Sequence, residues 1–414
     1  MENLIFSLMI GILIVDYLLG RLLDGLNASR MGDPVPQTLT GLYDSEKYQT
    51  QQRYQKANIR FDLVFSTCSL LILLGFLALS GFARVHGFAA AVTANPLWQP
   101  LIFFGVLLLA QDLLTTPFEL YRTFVIEQQF GFNKTSPRLF WADKLKGWLL
   151  MAVVGGTVLV LMTWFYLRTT DRFWLYGWLL VSGVALFFTL FYSNLIVPLF
   201  NRQTELEEGE LKSAIEGFAR RASFPVKDLY VLDGSKRSTK ANAYFAGLGR
   251  KKRIVLFDTL IKDLSTDEVV AVLAHEIGHF KKKHTLQAML ISIAQTGVVF
   301  YLLSLFLGQE VFLRALGVEG AVFHVGLVAF MLLYGPVSLV TGLLVNGWSR
   351  KNEYQADAFA ADHGSAGALV SALKKLSLNH LSNLTPHPAY VFFHYSHPSL
   401  YQRVQALEAR TSVS

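Results

Sequence analysis

Seven stretches of about 20 mostly apolar residues leave this chain little choice of fold class. They run approximately over residues 4–24, 62–86, 97–119, 147–168, 173–199, 286–307 and 321–347. Each matches the length a helix needs to cross the hydrocarbon of a bilayer. Composition agrees: 52% of the residues are hydrophobic and 16% charged, too apolar for the two or three soluble domains that 414 residues would otherwise allow. A mainly α, multi-pass membrane protein with seven transmembrane helices is expected.

The first stretch reads as a span and not as a cleaved signal peptide. Glu2 stands where a basic n-region belongs, Asp16 interrupts the apolar run, and no small-residue cleavage site follows. Basic residues then set the orientation, because short loops rich in Lys and Arg stay on the cytoplasmic side. The first connection holds Arg30, Lys47, Arg53, Lys56 and Arg60, and the third holds Arg122, Lys134, Arg138, Lys144 and Lys146. The second, fourth and sixth are short, with at most an Arg172 or Arg314. This alternation predicts the N-terminus outside, and the long segment from about 200 to 285 and the C-terminal region in the cytoplasm. The net charge of +7 then lies against an anionic leaflet, so membrane lipids are expected partners and nucleic acid is not. The lone Cys68 falls inside an apolar stretch and reads as a packing residue. Sequons starting at Asn27, Asn133 and Asn383 sit on the predicted cytoplasmic side and read as chance matches.

Four regions follow: a five-helix membrane region over 1–200, an α+β domain over 201–285, two further spans over 286–347, and a C-terminal region over 348–414. In the α+β domain, Leu211 to Ala222 has helical spacing, and Leu229 to Leu232 and Arg253 to Phe257 are short β-rich runs. Asn242 to Ala246 lies between those runs, bounded by Gly247 and Gly249. Ser265-Thr266-Asp267-Glu268 is a capping-box pattern ahead of the apolar run Val269 to Leu273, which marks a helix start. Lys281, Lys282, Lys283 and His284 then precede the sixth span, where basic side chains can snorkel to headgroups. Beyond the seventh span, Ser349 to His363 reads as a polar helix and Ala366 to Leu381 as an amphipathic one. The tail from about Pro386 reads as a loop until Ser399 to Arg410, which again has helical periodicity.

The capped helix carries His275-Glu276-Ile277-Gly278-His279. Residues i and i+4 share a helix face, so His275 and His279 can present two imidazole nitrogens to one tetrahedral zinc at about 2.0–2.1 Å. Glu276 projects from the neighbouring face, where it can take a proton from zinc-bound water and pass it to a leaving amine. A catalytic zinc needs a third protein ligand and an open position. Glu353, just past the seventh span, is the candidate, and Asp357 one turn later can accept the second N–H of a ligating histidine. His397 and Arg403 stand in the tail, where a donor aimed at the oxyanion of a tetrahedral intermediate could come from His397. One Zn2+ per chain and a peptide or protein substrate are therefore expected.

These residues closely resemble the type I CAAX prenyl proteases, integral-membrane zinc enzymes that trim the last three residues after a prenylated cysteine. The resemblance runs through Thr123-Phe124-Val125-Ile126-Glu127, Gly131-Phe132-Asn133-Lys134, Gly234-Ser235-Lys236-Arg237-Ser238 and Asn242-Ala243-Tyr244-Phe245. It continues through Arg253 to Leu260, the HEIGH helix, Glu353 to Ala360, and His394-Tyr395-Ser396-His397-Pro398. It implies seven helices enclosing a water-filled chamber, with the zinc site at its cytoplasmic end. By position it also implies His275, His279 and Glu353 on zinc, Glu276 as general base, and Asp357 behind a ligand. Asn242 and His397 would touch the substrate backbone or transition state, with Arg403 nearby. Asn242, Ala243 and Tyr244 would form a strand onto which a peptide adds by β-augmentation. The family often has His and Ser just before that Asn, where this chain has Lys240 and Ala241. The acidic insert that animal members carry before the HExxH helix is absent, and the tail has no basic retrieval signal. A bacterial plasma membrane is favoured on those grounds over the endoplasmic reticulum. A broad-specificity quality-control protease with the same chemistry is the alternative to a protease acting on prenylated chains.

Overall fold

The structure, a computed structural model, describes residues 1–42, 44–224, 226–246 and 252–411. Gly247, Gly249 and the tail residues Ser412, Val413 and Ser414 lie outside the described residues.

Six helices are individually long and apolar enough to cross a membrane: Glu2–Ser29, Ser45–Ala78, Gln99–Glu127, Pro137–Thr169, Phe173–Leu195 and His284–Leu307, here spans 1 to 6. The seventh expected span is a pair, Phe323–Leu333 and Gly335–His363, bent by 58°. Pro336 at the start of the second member explains the bend, since proline lacks the N–H and clashes with the preceding turn. Span 2 departs from its expected limits of 62–86. It starts at Ser45, where the Asp44 carboxylate accepts from the Lys47 N–H at 2.7 Å, and it ends at Ala78. Ser80 then adopts a left-handed φ of 53°, and a separate helix, Gly81–Val92, follows. A Cβ on Gly81 would lie 2.5 Å from the Phe76 ring, so this sharp exit needs glycine.

The spans close into a ring. Span 1 touches span 2, spans 3 to 6 touch in succession, span 6 touches Phe323–Leu333, and that helix returns to span 1. Spans 2 and 3 meet through Gly81–Val92 at one end and through the π-helical turn Arg122–Glu127 at the other. The accessible surface is 21706 Å2, against about 16,000 Å2 for a compact chain of this mass. Only 6% to 17% of the apolar window of each of the six spans is buried. The excess surface lies largely on these spans, whose apolar faces are left for lipid.

The two ends of the ring differ. One is closed by an apolar cap in which Met9, Leu77, Phe82, Phe103, Leu313 and Val325 are buried together. The other carries the α+β body. Its sheet has the order β1-β2-β4-β3, with β1 Gln203–Glu205, β2 Val226–Leu232, β3 Ala243–Ala246 and β4 Lys252–Phe257. β2 and β4 are parallel, while β1 and β3 pair antiparallel to their neighbours. β1 was not expected: three residues in a polar run give no readable alternation. Ile254, Leu256 and Leu260 pack under Val269 and Leu273 of the HEIGH helix, Thr266–Lys281. Each such side chain contributes about 1.5–3 kcal/mol by leaving water. The expected capping box is present, with Glu268 accepting from the Ser265 N–H at 2.8 Å. Helices Glu210–Arg221, Ala366–Asn379 and Leu400–Thr411 form where periodicity placed them. The tail read as a loop holds one more helix, Pro388–His394, too short for its period to be read, with His387 Nδ1 accepting from the Ala389 N–H. The basic first and third connections share this end with the α+β body. Asn27 Oδ1 accepts from the His387 N–H at 3.1 Å, and the Lys134 N–H donates to the Arg237 carbonyl at 3.0 Å.

Candidate active site

The HEIGH helix crosses Gly335–His363 at unusually close range. A Cβ on Gly278 would sit 3.1 Å from both the Cα and the carbonyl oxygen of Ala356, and Ala356 is fully buried. Glycine at this point of the motif therefore lets the two backbones approach, which brings His275 and His279 against Glu353. Glu353 Oε1 lies 3.2 Å from His279 Nε2, and Oε2 lies 3.5 Å from His275 Nε2. The two Nε2 atoms are 3.2 Å apart. Among the described residues this is the one group of three or more His, Cys, Asp or Glu able to share a metal ion.

The hydrogens on these rings leave a place for a cation. His275 Nδ1 sits 2.8 Å from Asp357 Oδ1, so that nitrogen carries its hydrogen and Nε2 is bare. His279 Nδ1 lies 3.1 Å from His284 Nδ1, and His284 Nε2 lies 3.0 Å from Gln355 Oε1. A chain of donors, His279 to His284 to Gln355, satisfies every member and leaves His279 Nε2 bare as well. Two bare nitrogens and a carboxylate then converge with no proton between them, and Glu353 Oε2 is buried without a hydrogen-bond partner. Lone pairs in that arrangement repel one another unless a cation joins them. The donor set of two imidazoles and one carboxylate suits a metal with an open position.

Around this point stand the other expected residues. Asp357, 2% exposed, receives a fork from Arg403, Nη2 to Oδ1 at 2.6 Å and Nε to Oδ2 at 2.9 Å. Arg403 also reaches within 3.7 Å of Glu353, so it backs the ligand shell. His397 Nε2 lies 3.3 Å from Glu353 Oε1, with Nδ1 on the Ser396 hydroxyl at 2.9 Å. Desolvation and the Arg403 cation pull the His397 imidazole below its ordinary range, against the pull of Glu353, although 60% of its side chain is open to solvent. Glu276 is half-buried and makes no hydrogen bond or ion pair among the described residues, which leaves its carboxylate free for a water. Asn242 precedes β3, an outer strand of the sheet, and its carbonyl accepts from the Phe257 N–H at 3.0 Å. Ala243 opens that strand, and the Tyr244 hydroxyl turns toward Ser193 at the end of span 5.

One residue of this site was misread. His284, grouped with the snorkelling lysines, is 4% exposed and lies against His279 Nδ1. Its signal was present in the sequence, a third histidine one turn past the motif, but three lysines masked it.

Comparison with known proteins agrees with this geometry. Residues 26–202 match a family described as CAAX prenyl protease N-terminal, five membrane helices, and residues 205–411 match peptidase family M48. The chain is 33% identical over 400 residues to CAAX prenyl protease 1 of Saccharomyces cerevisiae, covering 90% of this chain and 88% of that one. It is 33% identical over 408 residues to the Arabidopsis thaliana CAAX prenyl protease 1 homolog, covering 96% of each. The crystal structure of S. mikatae Ste24p superposes with a TM-score of 0.93 at 31% identity, over 98% of this chain and 99% of that one. Two histidines and a carboxylate thus converge on crossed helices in a multi-pass membrane metalloprotease, and the chain belongs to the CAAX prenyl protease 1 group of peptidase family M48.

Proposed function

We propose that this protein is a zinc endopeptidase that removes the C-terminal tripeptide following a prenylated cysteine, with its site facing the cytoplasm and its N-terminus outside. The observation that carries the reading is the convergence of His275, His279 and Glu353 beside a free Glu276. Zinc, when bound there, supplies a Lewis acid that polarises a carbonyl and acidifies water toward a pKa of about 7. Glu276 takes the proton of the attacking water and delivers it to the departing amine. His397 donates from Nε2 to the oxyanion that develops at the scissile carbon. Asp357, fixed by Arg403, holds His275 in the tautomer that keeps Nε2 bare. Asn242, Ala243 and Tyr244 receive the substrate backbone along β3.

A lipid-modified substrate is supported by the relatives, which are CAAX prenyl proteases. In this reading 1–200 and 286–347 build the membrane ring, and 201–285 with 348–414 build the site. The relatives named above are eukaryotic. Glu276→Gln is expected to keep one zinc per chain while lowering kcat by about 1,000-fold or more. Metal analysis beside a farnesylated CAAX peptide assay checks this, and normal cleavage by the variant would overturn the mechanism. Equal turnover of the farnesylated peptide and its unprenylated twin would instead favour a broad quality-control protease.

A further inference from the structure

Two blocks shared with the family have no part in the site described above, yet the fold joins them. Lys134 donates its N–H to the Arg237 carbonyl at 3.0 Å, Thr239 donates to the Phe132 carbonyl at 3.1 Å, and Asn133 and Ser238 form an isolated antiparallel bridge. Arg237 forks onto Asp143 of span 4 at 2.8 and 3.0 Å. This seam stitches the membrane ring to the catalytic body, and it ends at Lys240, two residues before Asn242. Lys240 Nζ donates to Glu127 Oε2 and to the Tyr54 hydroxyl, each at 3.0 Å. The Tyr54 hydroxyl donates in turn to Glu127 Oε1 at 2.7 Å, and the ammonium lies 4.4 Å from the centroid of the Phe132 ring. Tyr54 belongs to span 2, and Glu127 closes the π-helical turn of span 3. Such turns are frequent at functional sites.

From Lys240 onward the backbone is pinned at each residue. The Lys240 carbonyl accepts from Thr259 Oγ1 at 3.2 Å, and the Ala241 N–H donates to His380 Nε2 at 3.0 Å. The Asn242 carbonyl accepts from the Phe257 N–H and so opens the β3–β4 ladder. In an antiparallel pair, hydrogen-bonded and non-bonded residues alternate. Asn242 and Tyr244 therefore face β4, while the polar backbone groups of Ala243 and Phe245 face the outer edge. The Phe245 ring packs on the cluster that holds Ala271 and Ala274, immediately before His275. Acceptance at Nε2 needs a neutral His380, and burial together with the Lys240 cation pushes that imidazole below its ordinary range.

We propose that Lys240 is a positioning residue for peptide binding: clamped by Glu127 and Tyr54, it sets the register and height at which the outer edge of β3 meets the substrate, so the membrane ring contributes to substrate affinity. This rests on the reading of β3 as the substrate strand. The pair is partly exposed, with Lys240 at 36% and Glu127 at 18%, so its contribution to global stability is small and its effect is local.

The test uses the full-length protein in detergent or nanodiscs and the farnesylated CAAX peptide, or its unprenylated twin if both are cleaved alike. Lys240→Met is expected to raise KM about 10-fold with kcat within about threefold and metal content unchanged. Glu127→Gln should do the same, the double variant should be no worse than either single one, and Lys240→Arg should recover most of the loss. An unchanged KM in Lys240→Met, or a loss that only tracks the fraction of folded, metal-loaded protein, overturns the proposal. Asn242→Ala separates the two readings. If it leaves KM unchanged, the substrate-strand reading itself fails. If it raises KM while Lys240→Met does not, only the role given to Lys240 falls.

Discussion

Histidines meet at both ends of the ring, and only at one end do they converge on a carboxylate. In the apolar cap, His86 Nδ1 lies 3.0 Å from His324 Nε2, with the Phe103 ring 4.5 Å from that of His324. At the open end, His275 and His279 face each other through Nε2 atoms 3.2 Å apart. The cap pair shares one hydrogen, one ring donating and the other accepting, and neither ring makes an ion pair among the described residues. The site pair cannot share a hydrogen, because Asp357 and His284 already fix the protons on the far nitrogens. Proximity of imidazoles therefore decides nothing. What decides is the charge and the partner at the other end of each ring.

That contrast can be broken outright. Glu353→Ala should reduce bound metal from one per chain to near zero after dialysis, with a loss of kcat/KM of about 1,000-fold or more, since only two neutral ligands remain. His324→Phe should leave metal content at one per chain. Elemental analysis of both purified variants reads the outcome. Metal retained by the first, or lost from the second, would mean that the two histidine pairs have been assigned the wrong way round.

Much of the open end could be read from sequence, and much of the cap could not. His275 and His279 are four apart on a helix marked by its own capping box, so local rules suffice. Glu353 and Asp357 were legible because the polar helix continues the last span, and the helix Gly335–His363 runs unbroken through both. His86 and His324 are 238 residues apart, and nothing local pairs them. The break after span 2 was missed because apolar residues continue through Gly81–Val92 and only the backbone of Ser80 reverses. Lys240 was noted as a departure from the family pattern, but its partners Tyr54 and Glu127 sit on two different spans. Contacts that the ring closure creates leave no periodic trace along the chain.

A finer test sharpens the contrast by weakening the far-nitrogen partners without removing a ligand. Asp357→Asn and His284→Phe should each lower metal affinity by about 10- to 100-fold, the range usual for groups that orient a ligating histidine. Competition with a chelator at fixed pH measures this. Asp357→Asn should be the worse of the two, because it also strands the Arg403 guanidinium, whose fork it breaks. An affinity unchanged in both variants would leave the converging ligands alone as the cause of binding.

The smallest effect separates the two ends by pH. Among the described residues, the buried carboxylates are Glu268, Glu353 and Asp357, all in the catalytic body and none in the cap. Glu268 can be isolated from the metal. Its burial favours the neutral acid, but Lys375 at 2.8 Å, Ser371 at 2.7 Å and the Ser265 N–H outweigh burial and hold its carboxyl below the usual range. A depressed folded pKa means that the unfolded chain binds the proton more readily, so this stabilisation is complete above the unfolded value, about 4.3, and fades as pH falls through the folded one. Glu268→Gln keeps a residue that can close the capping box but cannot ionise. It should lower the stability of the catalytic body by about 1 kcal/mol at pH 7. The difference from the parent protein should shrink between pH 5 and pH 3, followed by hydrogen exchange of the HEIGH helix in metal-free protein, while exchange in the cap helix Gly81–Val92 stays the same in both proteins. A constant difference across that window would show that Lys375 and Ser371 do not act on the ionised form.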